Sequence, residues 1–458
     1  MSATIFDATL TTPAMAAAFD DAAIVPAMLR FEAALALAQA EAGVIPADAA
    51  RAIAGHCRAE HYDLAAIIEE SRSAGSVAIP LIKALTHSVA QADAKAAGFV
   101  HWGSTSQDVI DTALVLVTRD ALTLIERDLD DLIGSLLTLI DAHAATPILA
   151  RTLLQPAQVT SFGLKVAGWT APLVRSRGHL RSQRKRALAL QLGGAVGTLS
   201  AMGTQASDVA KIMAANLGLT MPAAPWHTQR DQWVRLGLEV SVLVGNLGKI
   251  AIDLALLAQA EVGELAEPSA IGRGGSSTMP HKQNPVAAMT ALAAAHRTPH
   301  RAAALLAAMG QQHERGLGNW QAEIAEWPAL FLSAHGALHA LAGAMRGLRV
   351  NAARMRENIE AQNGAVFSEA AATVLASGIG RDRAQALMQQ LVRQAAATAQ
   401  PVESMLLAHV HSDNSLSSQV DAERLRLAFD IDAATALPAQ LARQQLQLLR
   451  DALGRGED

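Results

Sequence analysis

Apolar positions recur with helical periodicity over five long stretches in the middle of the chain. The predicted helices cover approximately residues 108–145, 156–190, 229–264, 285–309 and 320–349. Short turns, among them Ala145-Thr146-Pro147, join successive stretches, so neighbouring helices should run antiparallel. The hydrophobic pattern therefore predicts a long five-helix bundle.

The segments on either side of the bundle carry shorter apolar runs. The second begins at Asn351, and the first is interrupted by four prolines: Pro13, Pro26, Pro46 and Pro80. We predict an N-terminal helical domain at residues 1–107, the central bundle at 108–350 and a C-terminal helical domain at 351–458. Hydrophobic residues make up 51% of the chain but aromatic residues only 3%, a composition rich in alanine and leucine that favours helices over strands. The predicted fold class is all-α.

The stretch from Val234 to Leu265 is apolar on nearly every side and long enough to be considered as a membrane span. It also carries polar and charged side chains that a bilayer helix would not tolerate: Glu239, Asn246, Lys249, Asp253 and Glu261. We interpret it as a helix of a soluble protein with no membrane contact. One subunit alone would struggle to cover all its apolar faces, and the pattern therefore predicts an oligomer.

Charge and cysteine content argue against several classes of protein. The formal net charge is −5 and the pI about 6.3, and Lys and Arg are scattered, which argues against nucleic-acid binding. The single cysteine, Cys57, cannot form an intramolecular disulfide. The first residues lack the basic and apolar regions of a signal peptide, and we expect a cytoplasmic protein.

Polar residues concentrate at the predicted starts of three helices. The clusters are His101-Trp-Gly-Ser-Thr-Ser-Gln-Asp108, Arg151-Thr-Leu-Leu-Gln-Pro156 and Gly275-Ser-Ser-Thr-Met-Pro-His-Lys-Gln-Asn-Pro285. Ser106 or Asp108 can cap the first helix, and Pro156 and Pro285 suit the first turns of the others. Capping alone explains any one cluster, but all three are richer than capping requires. Because the unpaired N–H groups of helix starts attract anions, the pattern favours an anion-binding site.

The direction of the helices constrains how these clusters can meet. In an antiparallel bundle the starts of the second and fourth helices lie at one end, and the start of the first lies at the other. A single bundle cannot bring the three clusters together, whereas antiparallel packing of several bundles can. We therefore predict a composite site between subunits.

The run Gly275–Pro285 resembles the signature of the fumarase/aspartase superfamily, Gly-Ser-Ser-x-Met-Pro-x-Lys-x-Asn. The other two clusters fall where that superfamily has its remaining shared regions, so the resemblance covers essentially the whole chain. It implies a homotetramer with a shared helical core, in which each active site is drawn from three subunits. Within the superfamily, the chain is most similar to the cycloisomerases of the branch that also contains adenylosuccinate lyase, at Phe6–Met15, Gly75–Lys83 and His313–Trp320.

The resemblance implies catalytic roles for individual residues. Ser276 would be the general base that removes a proton from the carbon next to a carboxylate. Lys282 and Asn284 would hold the carboxylate on which charge grows during the reaction. His101 is either a second acid/base group or a hydrogen-bonding residue of its loop.

The resemblance also implies substrate contacts, although most of these residues could instead only cap a helix. They are Thr105, Ser106, Gln107, Thr152, Gln155, Ser277 and Met279. Met279 could instead only pack within its loop. Arg315 has the fork geometry to pair with a further substrate carboxylate, or it forms a surface salt bridge with Glu314 or Glu323.

The chain departs from the superfamily pattern at Leu153. Fumarase and adenylosuccinate lyase carry there a histidine associated with protonation of the leaving group, and leucine cannot donate a proton. Hydroxide and free amines leave poorly without an acid, whereas a carboxylate with a pKa of about 4 departs as a stable anion. The departure favours the opening of a lactone, in which the leaving carboxylate is tethered. Four histidines remain possible substitutes: His101, His143, His227 and His281.

We therefore expect an enzyme that acts on a small polycarboxylate. As the resemblance implies, it would be a cycloisomerase that interconverts a 3-substituted cis,cis-muconate and a muconolactone in aromatic catabolism, and the substituent could be a carboxylate or a sulfonate. The alternatives are an adenylosuccinate lyase-like C–N lyase and a non-catalytic helical tetramer. His281 has no partner at ligand spacing, and His296 and His300 lack the adjacent glutamate of a zinc-protease helix. We expect no metal and no other cofactor.

Overall fold

The computed structural model describes residues 5–269, 274–275, 278–279 and 281–454. Helices hold 72% of the chain, which confirms the predicted all-α class. The helices before residue 100 are α1 (Ile5–Ala8), α2 (Pro13–Ala18), α3 (Asp21–Glu41), α4 (Ala47–His56), α5 (Leu64–Ala74) and α6 (Ala78–Ala92).

The prediction that Pro26 interrupts a helix is wrong, because Pro26 lies inside α3. Its ring removes one backbone hydrogen bond, but the helix also buries Val25 and Met28 on either side of it, which holds this segment against the core. Pro80 lies in the first turn of α6, where a backbone N–H would have no helical partner.

The central part of the chain forms α7 (Ser106–Ala142), α8 (Phe162–Ala187), α9 (Ala206–Leu217), α10 (Asp231–Leu257), α11 (Val286–Ala307) and α12 (Asn319–Arg346). All of these except α9 are long, and they confirm the five predicted long helices apart from the start of the second. Residues 147–161 instead form an antiparallel hairpin of β1 (Pro147–Thr152) and β2 (Gln155–Ser161). Val159 and Thr160 favour a strand, and Pro156 pairs with Arg151 beside a register shift.

A second, shorter strand pair joins β3 (Leu265–Ala266) to β4 (Arg349–Val350). The remaining helices are α13 (Ala352–Glu360), α14 (Ser368–Ile379), α15 (Arg381–Thr398), α16 (Val402–Ser412), α17 (Asn414–Gln419), α18 (Ala422–Leu427) and α19 (Ile431–Gly454). With 24 residues, α19 is longer than the short helices predicted for this region. It buries one side through Ala439, Ala442 and Leu446, which recur at helical spacing.

The chain forms two compact units, each built from three segments. Unit 1 comprises Met1–Leu129, Ser176–Gly248 and Thr290–Ala340, and unit 2 comprises Asp130–Arg175, Lys249–Met289 and Leu341–Asp458. The core of unit 1 contains Trp327, which stacks on Trp233 with the ring centroids 3.9 Å apart. Gly237 of α10 faces the same core, and a Cβ atom there would lie 2.8 Å from the Leu305 side chain. Glycine thus permits close helix packing at this point.

The core of unit 2 is a hydrophobic cluster supplied by the helices that follow β4, and it also includes Leu149 of β1. Its larger members are Ile359, Phe367, Leu375, Met388, Leu391, Leu406 and Leu425. Because Leu149 belongs to this cluster, the base of the β1–β2 hairpin is anchored in a hydrophobic core.

Among the described residues, α10 is the one helix that is long and apolar enough to cross a membrane. However, 56% of its most apolar window is buried within the protein. Val240, Leu243 and Leu247 are completely buried, as in the central helix of a hydrophobic core.

Candidate active site

Asp108 joins three separate parts of unit 1 at the start of α7. Its carboxylate accepts hydrogen bonds from the backbone N–H groups of Thr105, Gly193 and Gly194 at 3.1, 3.0 and 2.8 Å. His227 Nε2 lies 2.7 Å from the same carboxylate. The side chain is completely buried, and a buried carboxylate needs such donors to remain charged. Asp108 therefore gives the polar loop before α7 a fixed frame, in addition to capping the helix at Thr105.

A buried ionic cluster lies one turn further along α7. Arg230 pairs with Asp111 at 2.7 Å and also with Glu323, and all three side chains are fully buried. Burial raises the pKa of the Glu323 carboxyl, although Arg230 acts in the opposite direction. Trp320 Nε1 donates to Asp111 at 2.9 Å. The cluster fixes the start of α7 against α12 within unit 1.

Gln107 and Arg315 are directly linked. The Gln107 amide nitrogen donates to the Asp111 carboxylate at 3.2 Å and to the His227 carbonyl at 2.9 Å. Its carbonyl oxygen accepts from Arg315 Nη1 at 3.2 Å. Arg315 Nη2 donates to the carbonyl oxygens of Gly194 and Ala195 at 3.2 and 2.8 Å. Gln107 is buried, and in this structure it orients Arg315 through its carbonyl oxygen.

His101 lies on the loop before α7, with a left-handed φ of 58°. Its Nδ1 forms a 2.7 Å hydrogen bond with the buried carboxylate of Glu32. Burial alone would lower the pKa of His101, but Glu32 and, to a smaller extent, Asp108 outweigh it and raise that pKa. His101 and Ser106 line one cavity of about 620 Å³ together with residues of α6. Two predicted site residues thus share a cavity that can admit a small molecule.

Thr152 and Gln155 pair across the two-residue turn of the β1–β2 hairpin in unit 2. The turn residues Leu153 and Leu154 have φ values of 51° and 66°, and their side chains are 97% and 72% exposed. Turns of this kind usually contain Asn-Gly, because left-handed backbone is strained for leucine. The hairpin therefore presents a strained apolar tip.

Arg151 fixes the hairpin close to its tip, since it lies one pair before the turn. Its guanidinium forms two hydrogen bonds with the Glu264 carboxylate, at 3.1 and 2.8 Å. Glu264 is completely buried and also accepts from Asn358 at 2.8 Å. Such bidentate pairs fix orientation as well as distance. The exposed tip is thus carried on a rigid support.

The described part of the signature loop closes on itself within unit 2. The N–H of Asn284 donates to the carbonyl oxygen of Gly274 at 2.8 Å, and the N–H of Lys282 donates to that of Met279 at 3.0 Å. A Cβ atom at Gly274 would lie 2.7 Å from the Asn284 carbonyl oxygen, which explains glycine there. Lys282 and Met279 are exposed, and Asn284 is half-buried.

The prediction that the helix after Pro285 presents unpaired N–H groups to an anion is wrong for Ala287 and Ala288. Their N–H groups donate to the two carboxylate oxygens of Glu267, each at 2.9 Å. An anion at a helix start meets both the unpaired donors and the positive end of the helix dipole. Glu267 already fills that position, so a substrate anion cannot use these two donors while this pairing persists.

The predicted site residues divide between the two units. Unit 1 holds His101, Thr105, Ser106, Gln107 and Arg315, whereas unit 2 holds Thr152, Gln155, Met279, Lys282 and Asn284. The predicted residues Ser276 and Ser277 lie outside the described residues. Within the described ranges, no group of three or more His, Cys, Asp and Glu side chains could hold a metal ion.

Sequence reasoning missed the residues that hold the site in place. Asp111 and Arg230 were not recognised as the buried partners of α7, and Glu32 was not recognised as the partner of His101. The sequence does contain a signal for Glu32, because a charged residue within the apolar stretch that forms the buried face of α3 indicates a buried polar contact.

Residues 7–297 match the protein family described as Lyase. The chain belongs to the fumarase/aspartase superfamily. It is 48% identical over 391 residues to the 3-carboxy-cis,cis-muconate cycloisomerase of Pseudomonas aeruginosa, covering 85% of each chain. It is 40% identical over 407 residues to the nitrosuccinate lyase of Streptomyces davaonensis, covering 86% of each. The crystal structure of the 3-carboxy-cis,cis-muconate lactonizing enzyme from Pseudomonas putida has a TM-score of 0.90 and 41% identity, covering 98% of this chain and 99% of that one.

Proposed function

We propose that this enzyme interconverts 3-carboxy-cis,cis-muconate and the corresponding muconolactone, in the way that the name of its Pseudomonas aeruginosa relative describes. A sulfonate in place of the 3-carboxylate is an alternative substituent of similar charge. The observation that carries the proposal is the position of Leu153, at the exposed tip of the hairpin between Thr152 and Gln155.

Leu153 stands where the resembling hydratases and amine lyases carry a histidine. Its side chain has no proton to give, so a leaving group at this position receives no proton from residue 153. A carboxylate needs none because its conjugate acid has a pKa of about 4. Lactone opening and closing is the reaction of the superfamily that best fits such a site.

The chemistry balances without any further reactant. In the ring-opening direction, a base removes the proton next to a carboxylate, the electron pair of that C–H bond forms the C=C bond, and the ring C–O bond breaks. Its electrons leave on the carboxylate oxygen. We assign the base to Ser276, and the stabilisation of the charged intermediate to Lys282 and Asn284. Arg315, held by Gln107, supplies a fixed positive charge for a further carboxylate.

A second candidate is C–N bond cleavage, which the similarity to nitrosuccinate lyase favours. Nitrite is a weak base, like a carboxylate, so Leu153 does not separate the two reactions. Ultraviolet assays with 3-carboxy-cis,cis-muconate, nitrosuccinate and adenylosuccinate in parallel will separate them. We expect decay of the muconate alone. Turnover of nitrosuccinate or adenylosuccinate instead would assign the enzyme to the C–N lyases, and no turnover of any would contradict catalysis of either kind.

We also propose a cytoplasmic homotetramer in which several subunits build each active site. The long helices leave large apolar side chains exposed, including Val242 on α10 and Met289 and Leu306 on α11. A second copy of the chain is the economical cover for such surfaces. Ser106→Ala and Ser276→Ala variants, each inactive alone, should regain part of the activity when dissociated and reassembled together. Reassembled mixtures that stay inactive would contradict shared sites.

A further inference from the structure

The buried face of α3 carries two polar side chains, and both contact the loop that bears His101. The Glu32 carboxylate is 2.7 Å from His101 Nδ1, and the Gln39 amide donates to the Trp102 carbonyl at 2.6 Å. Glu32 and Gln39 are seven residues apart, which places them two turns apart on one side of the helix. The other buried residues of α3 are apolar. The polar positions of this helix therefore serve the loop before α7.

A buried carboxylate at position 32 costs desolvation free energy, which a role in holding the loop does not require. The Glu32 side chain is fully buried, and its second oxygen, Oε2, has no hydrogen-bond partner among the described residues. A glutamine could accept the same hydrogen bond without bringing a charge into the core. The thiol of Cys57 lies within the influence of this charge, because burial and then Glu32 raise the pKa of Cys57. The hydrogen bond to His101 alone therefore does not explain why residue 32 is charged.

The partner of this charge is His101, which lines a cavity of the candidate site. Nδ1 and Nε2 point to opposite sides of an imidazole, so a ring held at Nδ1 by Glu32 directs Nε2 away from α3. His101 lines the cavity that also contains Ser106, and its side chain is 18% exposed. We propose that Glu32 is a positioning residue that keeps His101 protonated, with Nε2–H directed into this cavity to donate a hydrogen bond to a substrate carboxylate. This inference rests on the proposed function only in the identity of the anion.

The other charged groups around His101 agree with this arrangement. Asp108 acts in the same direction as Glu32 and favours the imidazolium. Lys83 and His87 of α6 line the same cavity and would oppose it, but Lys83 pairs with Glu70 at 3.0 Å. The protonated His101 can therefore donate a hydrogen bond to an anion in this cavity.

Glu32→Gln tests the inference, because the amide can still accept the Nδ1–H hydrogen bond while the charge is lost. The first readout is the NMR titration of His101 in ¹⁵N-histidine-labelled protein, assigned with His101→Gln. We expect His101 to lose its proton at lower pH in Glu32→Gln than in the wild type. The second readout is kcat/KM against pH. The alkaline limb should move to lower pH, so that the loss in Glu32→Gln grows as the pH rises and reaches about tenfold on the alkaline side.

Asp128→Asn is the matched control, because Asp128 is also a buried carboxylate paired with a histidine, His339, at 2.7 Å. It should leave both the His101 titration and the alkaline limb unchanged. An unchanged His101 titration in Glu32→Gln, or an equal change in Asp128→Asn, would overturn the inference. The titration needs no substrate, so it can succeed even if the protein fails to turn over 3-carboxy-cis,cis-muconate, and only the proposed function would then be lost.

Discussion

The start of α7 and the tip of the β1–β2 hairpin carry two of the three predicted polar clusters, and they are built in opposite ways. At the start of α7, Asp108 and Asp111 are buried and accept hydrogen bonds from backbone N–H groups, an imidazole and a guanidinium. At the hairpin tip, Leu153 and Leu154 are exposed and adopt left-handed backbone.

The two regions therefore have different roles. The buried charges at the start of α7 form a frame that holds the fold, whereas the hairpin tip is an exposed element that can contact other molecules. Satisfied buried charges hold a fold in one arrangement, and removing a partner is costly because the remaining charge stays buried. A strained exposed turn contributes nothing comparable to stability and costs about 1–3 kcal/mol for each strained residue. Substitutions in the frame should therefore lower the free energy of unfolding, and substitutions in the hairpin should change kcat/KM.

The largest expected effect is at Arg230. Arg230→Met leaves Asp111 and Glu323 buried without their cation, and the free energy of unfolding should fall by about 3–5 kcal/mol. Urea unfolding near pH 7 measures the change. Arg51→Met, which removes an exposed pair with Asp48, is the control and should cost no more than about 1 kcal/mol. Similar losses in the two variants would remove the distinction between a buried frame and the surface.

Asp128 is a second kind of buried carboxylate, further along α7, and two histidines contact it. Burial alone would raise the pKa of Asp128, but hydrogen bonds from His339 and Arg127 outweigh burial and hold it below its ordinary value. Because the pKa is lower in the folded state, the stability that the charged form contributes is fully present above the pKa of the unfolded state and is lost as the pH falls through the folded pKa.

Asp128→Asn should therefore lower the free energy of unfolding by about 2 kcal/mol near pH 7, and the difference from the wild type should shrink in acid. Urea unfolding from pH 7 to pH 3 measures this. Asp131→Asn, at an exposed position of the same helix, is the control. A difference that grows as the pH falls would have the wrong sign and would refute the assignment.

The hairpin side is tested by Gln155→Glu, which places a negative charge where the resemblance implies a contact to the anionic substrate. We expect kcat/KM to fall about tenfold or more, and the loss to be smaller at high salt because salt screens exposed charges. The melting temperature should not change, since Gln155 is exposed. Gln394→Glu, an exposed glutamine on α15, should leave kcat/KM unaltered. Equal losses in both variants would point to net charge and not to the hairpin.

The same contrast explains what could be predicted from the sequence. The long helices were predictable because periodic apolar segments of this length rarely have another interpretation. The frame was not, because His227 lies 119 residues after Asp108 in the chain. The hairpin was missed because Pro156 suits a helix start as well as a strand edge, and Leu153-Leu154 carries no turn signal. The filled start of α11 was missed because Glu267 comes 20 residues before Ala287.

The smallest expected effect is at Leu154, whose φ of 66° is unfavourable for leucine but tolerated by asparagine. Leu154→Asn should raise the free energy of unfolding by about 0.5–1 kcal/mol, because it relieves strain without removing a buried contact. Urea unfolding measures the gain, and kcat/KM should fall if the tip contacts the substrate or another subunit. Leu317→Asn is the control, since Leu317 is 91% exposed and outside the left-handed region. A gain at Leu154 with a loss of activity would identify the strained tip as an element kept for function at the expense of stability. A gain in stability with unchanged activity would contradict a functional role for the strained tip.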